Sequence, residues 1–184
     1  PEVIGETYRY AVQPDRDGTG GAVRSALRSF GDSPPGMLMV LNGDTPFVSS
    51  ESIRALAEIC EAGDAVMAVL GGEEPLSSGL GRLTIGDDGS VQAIVEAEDQ
   101  LEATLDPVNV GAYGFDVGWL ATHLPHLPQR ESREYFITDL VEMAFAAGER
   151  VAVHLAEDPW EGLGINTRVD LAEAERELRR RTLE

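Results

Sequence analysis

The sequence contains no lysine: all 14 of its basic residues are arginine, against 33 aspartates and glutamates, for a net charge of −19. A surface so acidic repels the phosphate backbone of nucleic acid and anionic membranes, which argues against both as partners. A small phosphate-bearing substrate remains compatible, provided a bound cation or a local group of arginines and backbone N–H donors offsets the field. Most of the carboxylates have a plainer reading, a solvated and soluble surface. Cysteine is nearly absent too. The lone Cys60 excludes an internal disulfide and a cysteine metal cluster. No apolar run approaches the roughly 20 residues that cross a bilayer, and no signal peptide opens the chain, so a cytoplasmic protein is expected.

What is present suffices for one core. At 184 residues and 42% hydrophobic composition, residues 1–184 read as a single domain. Strand and helix patterns alternate nearly throughout. Tyr8–Val12 reads as a short strand, Thr19–Phe30 as a helix with Val23, Ala26, Leu27 and Phe30 on one face, and Met37–Leu41 as a strand covered on both faces. Ser49 or Ser50 caps the next helix, whose core stripe includes Cys60, and Ala65–Leu70 is a further strand. Arg82–Ile85 and Val91–Val95 alternate around Gly86–Gly89 as a hairpin. A strand at Asn109–Phe115, a helix at Glu134–Ala147, a strand at Val151–Leu155 and a helix at Arg168–Arg181 complete the pattern. The fold class is α/β: a Rossmann-like, mostly parallel sheet with helices on both faces and an inserted β-hairpin. Ligands of such sheets bind beyond the carboxyl ends of the strands.

The residues following the strands are therefore the candidates. Gln13, then Gly18, Thr19 and Gly20, run into a helix N-terminus, where glycines admit close approach of a ligand and present N–H donors. The Gln13 amide can donate and accept at once, as a nucleobase edge requires. Gly43-Asp44-Thr45-Pro46 follows a buried strand; Asp44 is placed either to hold Mg²⁺ or to close an Asx turn on its own backbone. Gly81, Glu96 and Asn109 stand at the entry or end of hairpin and strand, ordinary turn positions that could also bind sugar hydroxyls. Asn166 reads as a helix N-cap by default, or as a carbonyl donor to a metal. His123, His126 and His154 lack metal-ligand spacing, and neither a nucleophile elbow nor a Cys–His pair is present.

Taken in order, eight segments resemble the uridylyltransferase domain of the bifunctional enzymes that make UDP-N-acetylglucosamine, in the sugar-1-phosphate nucleotidyltransferase family. They are Val12-Gln13, Gly18-Thr19-Gly20, Gly43-Asp44-Thr45-Pro46, Gly79-Leu80-Gly81-Arg82, Ile94-Val95-Glu96, Asn109-Val110-Gly111, Glu134-Tyr135-Phe136-Ile137-Thr138-Asp139 and Gly164-Ile165-Asn166-Thr167-Arg168. The last two are the most distinctive, and the similarity runs from about Tyr8 to Arg181.

The resemblance implies a nucleotide-diphospho-sugar transferase fold and a Mg²⁺-dependent reaction of UTP with N-acetylglucosamine 1-phosphate, giving UDP-N-acetylglucosamine and pyrophosphate. By the same resemblance Gln13, Gly18 and Thr19 contact uracil, and Gly43 counts among the substrate-binding positions. Asp44 and Asn166 become the catalytic Mg²⁺ ligands, and Gly81, Glu96 and Asn109 the N-acetylglucosamine pocket. The family pattern also has a first strand, a glycine-rich loop with Gly-Thr-Arg-Met and a lysine, none of which stands before Tyr8. The resemblance thus implies that the triphosphate cradle lies outside these residues and that the 184-residue chain alone is inactive. Relatives continue into a left-handed β-helix with acetyltransferase activity, through which a homo-oligomer would form; its hexapeptide repeats do not occur in this sequence. Gly21 stands where histidine is usual, Asn42 where tyrosine is usual, and Val110 beside Asn109 where threonine is common. These departures leave open another base or sugar, or a non-catalytic nucleotide-sugar-binding domain.

Overall fold

The computed structural model describes residue 8 and residues 10–31, 34–73, 79–97 and 106–183. Helix α1 (Gly18–Arg28) leads to strand β1 (Met37–Leu41), helix α2 (Ser50–Ala62) and strand β2 (Met67–Gly72). The hairpin β3 (Arg82–Ile85) and β4 (Val91–Val95) follows, then the long strand β5 (Val108–Asp116) and helix α3 (Val117–His123). Helix α4 (Asp139–Ala146), strand β6 (Val151–Leu155) and helix α5 (Arg168–Leu183) close the chain.

Six strands form one sheet in the order β4-β3-β5-β2-β6, with β1 also paired to β5. Strands β1, β2, β3 and β6 point one way, while β4 and β5 run against them. The shared direction of β1, β2 and β6 is what the strand–helix alternation predicts. The ladders differ from a simple parallel stack, however: among the described residues only β2–β6 is a parallel pair, because β5 lies between β1 and β2. Crossover through α2 thus leaves a gap one strand wide, and β5 fills it.

Alternate residues of β2 serve the two faces, as the period of two demands. Ala68 and Leu70 join Val110, Ala112 and Leu56 of α2 on one side. Met67 and Val69 join Phe115, Val23 of α1, Leu120 of α3 and Leu140, Val141 and Ala144 of α4 on the other. Helices therefore cover both faces, and each large aliphatic side chain so buried contributes about 1.5–3 kcal/mol. Cys60 lies half-buried on this frame, and burial pushes its thiol pKa up, in keeping with a packing role.

Three expectations change. Tyr10–Val12 form no strand, since among the described residues no strand lies beside them; Arg9 lies outside the described residues. Strand β1 is half-buried rather than covered on both faces, its outer edge meeting no strand among the described residues. Helix α4 begins at Asp139, not Glu134, because Glu134 and Tyr135 fold back along α1: Tyr135 N–H donates to Asp17 O at 2.8 Å and Gly20 N–H to Tyr135 O at 2.8 Å.

The C-terminal end of α5 is held by a charge cluster. Glu177, 5% exposed, accepts from Arg180 and Arg181 at 2.7–2.9 Å, and Arg181 also reaches Asp158 at 2.8 Å and lies over the Phe47 ring. These arginines hold the Glu177 carboxyl well down, from 4.5 to about 2. A depressed folded pKa means the contribution is complete above the unfolded value and is lost as pH falls through the folded one. Thermal unfolding of Glu177→Gln should therefore show a lower Tm than the unsubstituted chain at neutral pH, with the gap closing between pH 4.5 and about 2. A gap constant across that range would remove Glu177 as the cause.

Candidate active site

Two loops carry Asp44 and Asn166, and a backbone bond joins them. Asp44 follows β1 in an exposed turn closed by Thr45, whose hydroxyl donates to Asn42 O at 3.1 Å. The Asp44 carbonyl accepts from Ile165 N–H at 2.8 Å, which sets Asn166 one residue away from the Asp44 segment. Among the described residues the Asp44 carboxylate has no hydrogen-bond partner, so the Asx turn is not formed. Nor does Asn166 cap α5. Thr167 does so: its hydroxyl accepts from Val169 and Asp170 N–H at 3.2 Å, while Asp170 accepts from Asn166 and Thr167 N–H at 2.9 and 2.7 Å. Those two backbone donors hold the Asp170 carboxyl below its ordinary pKa. The reciprocal cap leaves the Asn166 amide outside the helix start.

A second brace joins the same loops. Glu161 is 3% exposed and accepts from Ser49 N–H at 3.0 Å and the Ser49 hydroxyl at 3.1 Å, while Ser49 in turn caps α2 by accepting from Ser52 N–H at 3.0 Å. The sequence offers Ser49 or Ser50 as the cap, and the structure uses Ser49; nothing in the sequence marks its partner 112 positions away.

The residues assigned to the sugar meet as a group. Asn109 N–H donates to Gly81 O at 2.7 Å, and a Cβ on Gly81 would lie 3.3 Å from the Glu96 carboxylate. Glu96 accepts from the Thr138 hydroxyl at 2.7 Å. A cavity of about 180 Å³ opens here, lined by Thr19, Glu96 and Asn109 together with Asn42, Tyr113, Phe136, Ile137 and Thr138. The Glu-Tyr-Phe-Ile-Thr-Asp motif therefore delivers three wall residues, while its Asp139 is held from behind by an ion pair with Arg130. Asn42, Tyr113, Phe136, Ile137 and Thr138 were not among the expected site residues. The motif was the signal for the last three, and Tyr113 could have been found from its position four residues beyond Asn109 on one strand.

Gln13, Gly18 and Thr19 form a local loop beside this cavity. Gln13 Nε2 donates to Asp17 at 2.6 Å and to Gly18 O at 2.9 Å, so both amide hydrogens are used within the loop. The glycines serve a different approach from the expected one. A Cβ on Gly18, where φ is +87°, would sit 2.6 Å from Tyr135 O, and Gly20 N–H is taken by that same carbonyl. They thus admit the backbone of residues 134–135. Thr19 accepts from Ile137 N–H at 3.0 Å, joining α1 to the motif. Gly43 stays exposed beside Asp44.

Among the described residues no group of three His, Cys, Asp or Glu side chains could hold a metal. One carboxylate and one amide oxygen on adjoining loops fit Mg²⁺, which keeps several waters and takes phosphate oxygens, and do not fit a closed structural zinc site. His123 has a structural setting: it stacks on Trp119 with ring centroids 4.2 Å apart and bonds its carbonyl at 2.9 Å.

Residues 3–180 match the family described as nucleotidyl transferase. The chain belongs to that family. It is similar over its full length to a bifunctional protein GlmU of Exiguobacterium sibiricum, at 36% identity, covering 41% of that protein. Proteins of the same name from Streptomyces coelicolor and Corynebacterium aurimucosum are 39% and 40% identical, over 98% and 95% of the chain and 38% and 36% of their own lengths. The chain spans about two-fifths of the length of these relatives. No helix among the described residues of this nucleotidyl transferase domain is long and apolar enough to cross a membrane.

Glu161→Ala should lower stability by about 1–3 kcal/mol, because the Ser49 N–H and hydroxyl lose their acceptor. Urea unfolding of the two proteins measures it, and equal midpoints and slopes would show that the brace contributes nothing.

Proposed function

We propose that this domain transfers a uridylyl group from UTP to N-acetylglucosamine 1-phosphate, forming UDP-N-acetylglucosamine and releasing pyrophosphate, in the cytoplasm. The observation that supports it is the meeting of Thr19, Glu96 and Asn109 on one cavity whose wall also includes Asn42, two residues before Asp44. The sequence has neither a nucleophile elbow nor a Cys–His pair, and direct transfer needs no covalent nucleophile. An oxygen of the sugar phosphate bonds to the α-phosphorus of UTP as the bond to the pyrophosphate oxygen breaks in line, so the work left to the protein is positioning and charge neutralisation.

Asp44 and Asn166 would hold Mg²⁺. When bound, the ion offsets the charge of the phosphates and stabilises the developing charge on the leaving group. The protein's own side chains handle orientation. Glu96 accepts hydrogen bonds from sugar hydroxyl or amide groups, its carboxylate held by Thr138. Asn109, fixed by Gly111 N–H at 3.2 Å and by Tyr113, sets the opposite wall. Thr19 joins the Gln13–Gly18 loop to the cavity; in this reading the loop takes the uracil through the Gln13 amide oxygen, since both amide hydrogens are used within it.

Pyrophosphate release by the full-length protein, across a panel of nucleoside triphosphates and sugar 1-phosphates, tests the assignment. UTP with N-acetylglucosamine 1-phosphate should be the fastest pair; turnover confined to another pair would replace the base or sugar, and no turnover with any pair would leave binding as the function. Asp44→Ala should lower Mg²⁺-dependent turnover on the order of 100-fold or more, with circular dichroism unchanged. Near-normal turnover would remove Asp44 as a metal ligand.

A further inference from the structure

One polar group on the cavity wall has no assigned role: the Tyr113 hydroxyl. Tyr113 is 2% exposed and its ring is packed in the core, tilted against Phe115 with centroids 6.1 Å apart, yet it lines the cavity beside Asn109, Glu96 and Thr138. A buried phenol is retained in a core where its O–H has a partner. Here the oxygen accepts from Asn109 Nδ2 at 2.8 Å. That bond uses a lone pair and leaves the phenolic proton, for which the described residues present no acceptor.

The direction of this donor is fixed from three sides. The Asn109 amide cannot turn away, because its Oδ1 accepts from Gly111 N–H at 3.2 Å and its backbone N–H is tied to Gly81 O at 2.7 Å. The tyrosine ring is locked by the core around it. Burial, and then the nearby Glu96 charge, raise the phenol pKa above its ordinary value, so the proton stays in place at any working pH. Glu96 lines the same cavity as an acceptor, so the wall presents a fixed donor and a fixed acceptor together. A sugar carrying hydroxyls and an amide carbonyl meets both.

We propose that Tyr113 is a further sugar-recognition residue, its hydroxyl donating to an oxygen of the sugar of the sugar 1-phosphate, with Asn109 setting the direction of the donor. This rests on the reading of the cavity as the sugar pocket. A site built to bond a substrate oxygen discriminates strongly when the donor is removed.

Tyr113→Phe keeps the ring and removes only the hydroxyl. In the full-length protein it should raise KM for N-acetylglucosamine 1-phosphate on the order of tenfold while kcat and KM for UTP change less than about twofold. An unchanged KM for the sugar phosphate, or equal rises in both KM values together with a large fall in Tm, overturns the proposal in favour of a packing role. Calorimetric titration with N-acetylglucosamine 1-phosphate, in the presence of a UTP analogue whose α,β-bridge is methylene and cannot be cleaved, gives a readout independent of turnover. Binding to the unsubstituted protein should be on the order of tenfold tighter than to Tyr113→Phe, and equal affinity, or no binding to either, overturns the proposal. If the unsubstituted protein turns over a different sugar 1-phosphate, the functional reading fails separately, and the same two variants titrated with that sugar decide the role of Tyr113.

Discussion

Strand β5 has to satisfy partners on both edges while buried on both faces, and the site's position follows from how it does so. Eight of its nine residues are buried, so its backbone groups need protein partners. One edge pairs with β2. The other is shared: β1 takes residues 112–116 and β3 begins at Val108. Between them the strand passes from one partner to the next, and residues 109–111 bond instead to the loop ends, Asn109 N–H to Gly81 O and Gly111 O to Asn42 N–H. The end of β1 and the start of β3 therefore meet head to tail at one point on β5. The cavity lies there.

Much of this was legible in the sequence because the apolar periods are clean. Met37–Leu41, Arg82–Ile85, Val91–Val95 and Val151–Leu155 are strands at the bounds their pattern predicts. What was not legible depends on contacts distant in the chain. The segment from Glu134 has a helical period, yet its first turn gives way to hydrogen bonds with Asp17 and Gly20, over a hundred residues earlier. The insertion of β5 between β1 and β2 is likewise invisible to a local pattern, since a strand–helix–strand unit reads the same whether its strands touch or stand one apart. For the site, the positions of Glu96, Asn109 and Asp44 follow from strand ends and that of Asn166 from a helix start, whereas the meeting of Tyr113 and Thr138 with them on one cavity comes through tertiary packing.

The charge balance finds a structural counterpart. Several arginines are engaged with carboxylates: Arg130 with Asp139, Arg179 with Glu175, and Arg180 and Arg181 with Glu177. The lining of the cavity includes a carboxylate and no cation. The proposed reaction between two phosphorylated substrates would need positive charge from outside these walls, and that is why the proposal includes a metal ion.

The contact between Asn42 and Gly111 has a consequence for how such a site can diversify. Gly111 sits at φ +86°, and a Cβ there would fall on the Asn42 carboxamide. The two positions are thus not independent letters. A side chain can enter at 111 only if the one at 42 withdraws, and the backbone must also tolerate a left-handed residue there. The coupling runs one way: a side chain at 111 requires a smaller or displaced one at 42, whereas position 42 can vary while Gly111 is kept.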